Sequence, residues 1–487
     1  MSGGAGDLRR TAVRAFLWSL VQNWGGRAVA MLVFLVLGRL LSPGEFGLAA
    51  SAILVFSVVS LVSELGFGDA VIQNKKLEPE DANAPFFLAL GLSALLSLVA
   101  ALLADRIAAL MGNPQLAPLL MVTCAAVPFA VATGFQEAML KRALEFRRLA
   151  LRTLACGVAA GFVGIGMAFA GFGGWALVGQ FVAQILLGFV WLWARPVWRP
   201  NLRINLVALR TIGTFGSNLI ASRLVDFAAQ RTVDFLIVTQ LGTASYGVFA
   251  LSNRLYQFLM QLFQNSVSSV GLTVLSEVSD DRDRIRRLFV RTTSISAMLG
   301  APPFFLLAGL APELRELAFG PRWTGAEAVM TPLLLVGGVH SILFGAGSYL
   351  NAAGRPDLLL RLMLLKAGLV LLPILLIRPA QPDTLAVVYA AGLIAEAPFT
   401  IHATLRTLSL PWMALARPVG GPMLAGVAAF AALRSVDTYV TFRDGMWLDG
   451  GCKTAVFAGV HLIVVTSLAR GPMGENVAFL RGALLRR

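Results

Sequence analysis

The feature of this sequence that most constrains its fold is a succession of apolar runs, each long enough to cross a membrane. A helix rises about 1.5 Å per residue, so about 20 apolar residues span a hydrocarbon layer of about 30 Å. The 487 residues contain about fourteen such runs. Because lipid offers no hydrogen-bond partner to an open backbone, each run is expected to be helical. The sequence therefore predicts an all-α polytopic membrane protein with about fourteen transmembrane helices.

The composition agrees with this class. Hydrophobic residues make up 57% of the chain and charged residues 14%, whereas a soluble domain has about 25% charged residues. The formal net charge is +14, but the basic residues lie between apolar runs and form no solvated basic domain, which argues against nucleic acid as a partner. No cleavable signal peptide is expected, because Arg9, Arg10 and Arg14 precede a run too long for a signal sequence.

The predicted spans fall into two groups, separated by a basic segment at residues 195–210. The first group comprises residues 15–41, 46–66, 84–104, 116–139, 149–171 and 175–194, and the second comprises residues 212–241, 246–275, 292–311, 329–353, 358–377, 384–405, 419–433 and 452–468. Lys and Arg concentrate in segments on one side of this arrangement, above all residues 141–152, 195–210 and 282–291. The positive-inside rule therefore predicts cytoplasmic N- and C-termini.

An internal repeat appears when the chain is shifted by 200 residues. Residues 46–48 (Phe-Gly-Leu) then align with residues 246–248 (Tyr-Gly-Val), each after a long apolar run and a short turn. Six spans per repeat predict two parallel six-helix lobes related by an axis along the membrane normal. We expect an N-lobe at residues 1–205, a C-lobe at 206–410, and two additional helices with a basic tail at 411–487.

Polar residues inside the spans mark the candidate site. A guanidinium at bilayer depth costs at least about 2.5–3.5 kcal/mol, so it should face a polar interior instead of lipid. The first, seventh and eighth spans carry such groups in repeated positions. The candidate binding residues are Gln22, Asn23, Arg27, Asn218, Arg223, Arg231, Arg254, Gln257 and Gln261.

These residues have two interpretations. In the first, they line a shared polar cavity, and the arginines, whose planar forks donate paired hydrogen bonds, bind an anionic phosphate while the amides bind sugar hydroxyls. In the second, they pair with one another, Arg223 with Asp226 or Arg231 with Asp234, and only hold helices together. Glu64 is the third acidic candidate; these carboxylates either exchange an ion with the substrate or form salt bridges.

Several segments carry a resemblance to a known family. The matching segments are residues 23–27, 38–48, 64–73, 171–177, 319–323 and 351–355, for example Gly-Arg-Leu-Leu-Ser-Pro-Gly-Glu-Phe-Gly-Leu at 38–48. They resemble Wzx/WzxC-type polysaccharide flippases of the multidrug/oligosaccharidyl-lipid/polysaccharide exporter superfamily. Related lipid II flippases also place arginines in their first, second and eighth helices, similar in kind to Arg27 and Arg254.

This resemblance implies a V-shaped central cavity. It also implies export of an undecaprenyl-pyrophosphate-linked oligosaccharide from the cytoplasmic to the periplasmic leaflet of the bacterial inner membrane, for lipopolysaccharide, capsule or exopolysaccharide assembly. The implied partners are the lipid-linked substrate, membrane lipids, and a polysaccharide polymerase with export machinery. No cofactor is expected, although a proton or sodium gradient is a candidate energy source.

Two alternatives remain. One is a multidrug antiporter of the same superfamily, and the other is a membrane enzyme such as a polysaccharide polymerase or O-antigen ligase. His340, His402 and His461 lie in separate spans without metal or triad spacing, so they are expected to be packed or hydrogen-bonded helix residues. With no catalytic constellation and no Walker-type loop, the sequence favours a transporter over an enzyme.

Overall fold

The computed structural model describes residues 14, 17–64, 79–201, 217–276, 282–439 and 446–468. Every regular element in these ranges is helical, as predicted. Thirteen described helices are long and apolar enough to cross a membrane. One of them, Phe227–Phe263, passes through Gly242, whose φ of 82° and ψ of 172° are not helical. This break separates the seventh and eighth predicted spans.

The chain divides into two compact units, residues 1–250 and 251–487. The long helices of the first unit are α1 (Leu17–Leu40), α2 (Pro43–Glu64), α3 (Asn83–Leu102), α4 (Leu116–Arg142), α5 (Phe146–Phe169), α6 (Gly174–Ala194) and α7 (residues 217–241). The division falls inside α8 (residues 243–276). The lobe boundaries expected at residues 205 and 410 stay predictions.

The predicted turn between α1 and α2 forms a capping box. The Ser42 backbone N–H and its hydroxyl both donate to the Glu45 carboxylate, each at 2.8 Å, and the Glu45 N–H approaches the Ser42 Oγ at 3.4 Å. Pro43 occupies the first helical position, where its missing N–H removes no hydrogen bond. α2 therefore begins at Pro43, three residues before the predicted start.

Aromatic side chains form the core of the first unit. Phe86 on α3 lies at its centre, with its ring centroid 5.3 Å from those of both Phe135 and Trp198. The Gln136 side chain donates to the Trp198 carbonyl at 2.7 Å, so the segment that follows α6 is fixed back onto α4. These contacts join helices that are distant in sequence into one packed layer.

The second unit contains the remaining long helices. They are α9 (Arg282–Gly309), α10 (Ala326–Ala352), α11 (Pro356–Ile377), α12 (Pro382–Thr407), α13 (Trp412–Tyr439) and α14 (Met446–Leu468), after the greater part of α8. α9 begins ten residues before the predicted span and α13 begins seven residues before it. Both extensions contain arginines, which depress a hydropathy average without preventing a helix from forming.

The last two helices pack against α9. A Cβ placed on Gly309 would lie 2.4 Å from Leu433 Cδ1, and one on Gly426 would lie 2.4 Å from Phe305 Cδ2, so α13 and α9 approach closely at both glycines. Lys453 on α14 forms an ion pair with Glu313 in the short helix Ala311–Ala318, and their side chains are only 6% and 14% exposed. The two C-terminal helices are thus an integral part of the second unit.

Candidate functional site

The polar segment of the first span has an unusual backbone. Residues Val21–Gly25 form a π-helix inside α1, with Gln22 and Asn23 at its centre. The Asn23 amide donates to the Ser19 carbonyl at 2.8 Å. π-Helical turns are rare and occur frequently at functional sites, because the extra residue rotates side chains out of the regular helical register. The irregular backbone of Val21–Gly25 thus coincides with Gln22 and Asn23, which were predicted as site residues from their polarity alone.

α1 packs against α5 through small residues. A Cβ placed on Gly26 would lie 2.8 Å from Thr153 Cγ2, and further along the helices a Cβ on Gly161 would lie 2.5 Å from Val33 Cγ2. Val29 meets Gly157 in the same way, at 3.5 Å. Gly157 and Gly161 are four residues apart, the spacing that allows two membrane helices to approach closely.

This packing determines where Arg27 lies. Arg27 precedes Val29 by two residues, which at about 100° per residue places it on the nearly opposite side of α1 from α5. Its side chain is half-buried, and that of Asn23 is exposed. Arg27 and Asn23 therefore lie on the face of α1 that α5 leaves uncovered, as a ligand-binding role requires.

On α7, Arg231 is engaged locally. Its Nη1 lies 2.8 Å from Asp234 Oδ2, three residues along the helix, and its guanidinium carbon lies 5.0 Å from the centre of the Phe227 ring. The side chains of Arg231 and Asp234 are 33% and 10% exposed. The pairing of these two residues is thus confirmed, and Asp234 neutralises one of the four predicted cavity arginines.

α8 has one polar face and one packed face. Arg254 and Gln261 are exposed and Gln257 is half-buried, and their spacing of three and four residues places them together. On the opposite face Leu255 and Tyr256 are each only 4% exposed. The helix thus presents the predicted binding residues away from the core of the second unit.

The remaining predicted residues are distributed differently. Asn218, Arg223 and Asp226 lie in α7, but their side chains are outside the described residues. Glu64 ends α2, where it is exposed and accepts a hydrogen bond from Ser60 at 3.1 Å. The roles proposed for these four residues stay predictions.

The sequence reasoning missed a buried polar network in the second unit. The Tyr256 hydroxyl lies 3.3 Å from His340 Nδ1, and His340 Nε2 lies 3.1 Å from the Leu393 carbonyl. Since a carbonyl only accepts, Nε2 carries the proton and Nδ1 accepts from Tyr256. His340 is thus hydrogen-bonded, as predicted. Glu396, three residues after Leu393, is 7% exposed and accepts from Thr400.

A signal for the buried Glu396 was present in the sequence. Glu396 is an ionisable residue in the middle of an apolar span, a position that by itself indicates function. Glu396 was not among the predicted binding residues because those were selected as polar residues in the arginine-bearing spans. Among the residues that the structure describes, no three His, Cys, Asp or Glu side chains group as metal ligands would.

Comparison with known protein sequences gives consistent matches. A family model described as "Polysaccharide biosynthesis protein" matches residues 36–328. The succinoglycan biosynthesis transport protein ExoT of Rhizobium meliloti (strain 1021) is 24% identical over 358 residues, which cover 74% of this chain and 72% of ExoT. The lipopolysaccharide biosynthesis protein WzxC of Escherichia coli (strain K12) is 23% identical over 363 residues, covering 72% of each chain.

Solved structures show a similar fold. The lipid II flippase MurJ in an inward closed conformation superposes with a TM-score of 0.73 at 13% identity, covering 93% of this chain and 99% of MurJ. An inward-facing multidrug resistance MATE family transporter of the MOP superfamily superposes with a TM-score of 0.62 at 14% identity, covering 80% of this chain and 98% of that transporter. At these identities the likeness establishes a transporter fold of the MurJ and MATE type.

Proposed function

The chain belongs to the polysaccharide biosynthesis protein family, and we propose that it is a flippase that carries an undecaprenyl-pyrophosphate-linked oligosaccharide from the cytoplasmic to the periplasmic leaflet of the inner membrane. The observation that carries this proposal is the placement of two arginines inside membrane spans on faces that do not pack into a core. Arg27 lies on the side of α1 away from α5, and Arg254 lies on the exposed face of α8.

The chemistry of these two faces fits a pyrophosphate-linked sugar. Guanidinium groups donate paired hydrogen bonds to phosphate oxygens and stay charged at any physiological pH. Asn23, Gln257 and Gln261 lie near the two arginines in sequence and supply amide donors and acceptors for sugar hydroxyls. We propose that these side chains bind the polar head while the polyprenyl tail remains in lipid.

Arg231 would take part in substrate binding together with its ion-pair partner Asp234. The Asp234 carboxylate occupies one edge of the Arg231 guanidinium at 2.8 Å. Arg231 Nε is buried and makes no hydrogen bond with a described residue, so the guanidinium retains donor capacity. We propose that Asp234 is an internal counter-ion that an incoming pyrophosphate displaces, so that the site need not hold an unpaired charge between cycles.

Transport would proceed by alternating access, the mode that repeated lobes commonly support in secondary transporters. A proton or sodium gradient is the proposed energy source, with Asp226, Asp234 and Glu64 as the candidate coupling residues. By analogy with its relatives, the protein would work with a polysaccharide polymerase and export machinery, with both termini in the cytoplasm.

A multidrug antiporter is the competing function. The fold does not separate the two, because both MurJ and a MATE transporter superpose on the chain. The family match and the relatives named for succinoglycan and lipopolysaccharide biosynthesis favour the polysaccharide function. Arginine on both accessible faces also suits an anionic ligand better than a cationic drug.

The test is deletion of the gene in its own host. We expect surface polysaccharide to disappear and lipid-linked oligosaccharide to remain in the cytoplasmic leaflet, out of reach of a membrane-impermeant glycan-labelling reagent. Expression of the wild-type chain should restore labelling. Unchanged surface polysaccharide, together with loss of cationic-dye efflux, would instead identify an antiporter.

A further inference from the structure

The second unit contains a pocket that the proposed transport function does not use. Its volume is about 880 Å³, and it lies where one end of α9, the α10–α11 connection and the end of α12 come together. It is lined by Ile285, Arg286, Ala352, Ala353, Arg355, Leu358, Arg361, His402, Ala403, Arg406, Thr407, Leu408 and Ser409. These residues lie at helix ends and in the connections between them, for which the positive-inside rule predicts the cytoplasmic side.

The four arginines of this pocket differ in whether they bond to other residues, and Arg286 and Arg355 do. Arg286 donates from Nε to the Leu408 carbonyl at 2.6 Å and from Nη1 to Asp283 at 3.0 Å. Arg355 donates from Nε and Nη2 to the two oxygens of Asp357, at 3.0 and 3.1 Å, and this hydrogen-bonded partner raises the Arg355 pKa. These two arginines are held in place, and their positions shape the wall of the pocket.

The other two arginines of the pocket are Arg361 and Arg406. Both are exposed, and neither makes a hydrogen bond or ion pair with another residue in the described part of the chain. No described carboxylate other than Asp283 and Asp357 bonds to an arginine of this pocket. The pocket therefore carries a cationic surplus and two guanidinium groups whose donors are available to a ligand.

A second pocket of about 730 Å³ shares Arg286 with the first. Four of its ten lining residues are arginines, Arg286, Arg287, Arg291 and Arg417, and its apolar lining comes mainly from Val290 on α9, Leu410 in the α12–α13 connection and Met413 in the first turn of α13. Met413 is 58% exposed, and the adjacent Trp412 is 47% exposed. Exposed tryptophan next to arginine is typical of the level at which lipid headgroups lie, so both pockets are expected to meet the membrane–water interface.

We propose that these adjoining pockets bind one anionic phospholipid of the host membrane. Its phosphate would bind Arg361 and Arg406 in the larger pocket, and an acyl chain would lie along Leu410 and Met413 in the smaller one. Anionic lipids attract basic residues on the cytoplasmic surface, by about 1 kcal/mol for each Lys or Arg near it. The site shares no residue with the proposed transport faces on α1, α7 and α8.

The experiment uses the full-length chain purified in detergent and analysed by native mass spectrometry. It is titrated separately with dioleoyl-phosphatidylglycerol, dioleoyl-phosphatidylcholine, inorganic phosphate and farnesyl diphosphate. We expect phosphatidylglycerol to bind about tenfold more tightly than phosphatidylcholine. The double variant Arg361→Gln, Arg406→Gln should remove that preference, lowering phosphatidylglycerol affinity about tenfold.

A matched control removes the same charge elsewhere. Arg106 and Arg378 are exposed, make no hydrogen bond or ion pair with described residues, and lie at helix ends predicted to face the periplasm. The double variant Arg106→Gln, Arg378→Gln should bind phosphatidylglycerol as the wild type does. An equal loss in both double variants would overturn the proposal, because only net charge would then matter.

Three further outcomes would also overturn it. Equal affinity for phosphatidylglycerol and phosphatidylcholine, which both carry a phosphate, would show that the net negative charge of the headgroup is not recognised. Saturation by inorganic phosphate at the same concentration as by lipid would indicate a free-anion site. Farnesyl diphosphate that displaces phosphatidylglycerol and loses affinity in the Arg361→Gln, Arg406→Gln variant would assign the pocket to the pyrophosphate of a polyprenyl substrate.

Discussion

Gly47 and Gly247 contact each other reciprocally. A Cβ placed on Gly47 would lie 2.8 Å from the Gly247 backbone nitrogen, and a Cβ placed on Gly247 would lie 2.8 Å from the Gly47 backbone nitrogen. The same Cβ positions would lie 1.7 Å from the Thr243 carbonyl oxygen and 2.0 Å from the Pro43 carbonyl oxygen. Each residue meets its equivalent 200 positions away, as a local two-fold axis between the starts of α2 and α8 would produce.

This contact predicts the effect of adding one methyl group. Gly47→Ala or Gly247→Ala places a Cβ inside a backbone carbonyl of the facing helix, so the two helix starts must separate. We expect destabilisation of at least about 1–3 kcal/mol, measured as a lower midpoint of thermal unfolding in detergent. Gly44→Ala is the control, because no atom lies within 4 Å of a Cβ at Gly44. Wild-type stability of the Gly47→Ala variant would contradict the contact.

A double-mutant cycle can test the Lys453–Glu313 ion pair. Lys453→Met leaves the Glu313 carboxylate buried without this partner, at a cost of about 3–5 kcal/mol. Adding Glu313→Gln removes the uncompensated charge and should recover most of the stability. The measurement is the unfolding midpoint of both single variants and the double variant, with exposed Cys452→Ser as control. Additive losses in the double variant would show that the two side chains do not interact.

Arg231 and Asp234 allow stability to be separated from transport. Arg231→Gln should destabilise the protein by about 1–3 kcal/mol, because it leaves a nearly buried carboxylate unpaired. The double variant Arg231→Gln, Asp234→Asn should regain stability without regaining polysaccharide export. Full export by the double variant would mean that this pair has only a structural role.

The Tyr256–His340 hydrogen bond predicts a further loss of stability. Tyr256→Phe removes the donor to His340 Nδ1 and leaves a buried acceptor unsatisfied, at a cost of about 1–3 kcal/mol. His340→Phe in addition to Tyr256→Phe removes the acceptor but also the bond to the Leu393 carbonyl. We therefore expect the unfolding midpoint of the double variant to stay below that of the wild type. A Tyr256→Phe variant as stable as the wild type would exclude this bond.

The sequence predicted the membrane helices well, because bilayer thickness fixes how long an apolar run must be. It failed where charge or proline interrupts a helix. The predicted thirteenth span began at residue 419, yet α13 begins at Trp412 and passes through Pro418 and Pro422. Membrane helices tolerate proline because neighbouring groups satisfy the freed backbone. A hydropathy average does not register that compensation.

Sequence patterns do not predict contacts between residues that are far apart in the chain. The repeat aligned Gly47 with Gly247, but nothing in an alignment indicates that equivalent residues touch. Lys453 and Glu313 are 140 residues apart and neither lies in a motif. By contrast, the pairing of Arg231 with Asp234 was one of two interpretations open from helical spacing alone. Local geometry can be predicted from sequence, whereas the choice of distant partners depends on packing.

The affinity of the purified chain for undecaprenyl pyrophosphate tests most directly whether Arg27 and Arg254 bind the substrate. We predict that Arg27→Gln and Arg254→Gln each weaken binding about tenfold, and that the exposed control Arg106→Gln binds as the wild type does. The affinity is measured in detergent by native mass spectrometry. Wild-type affinity in both the Arg27→Gln and Arg254→Gln variants would contradict the claim that intramembrane arginines bind the pyrophosphate.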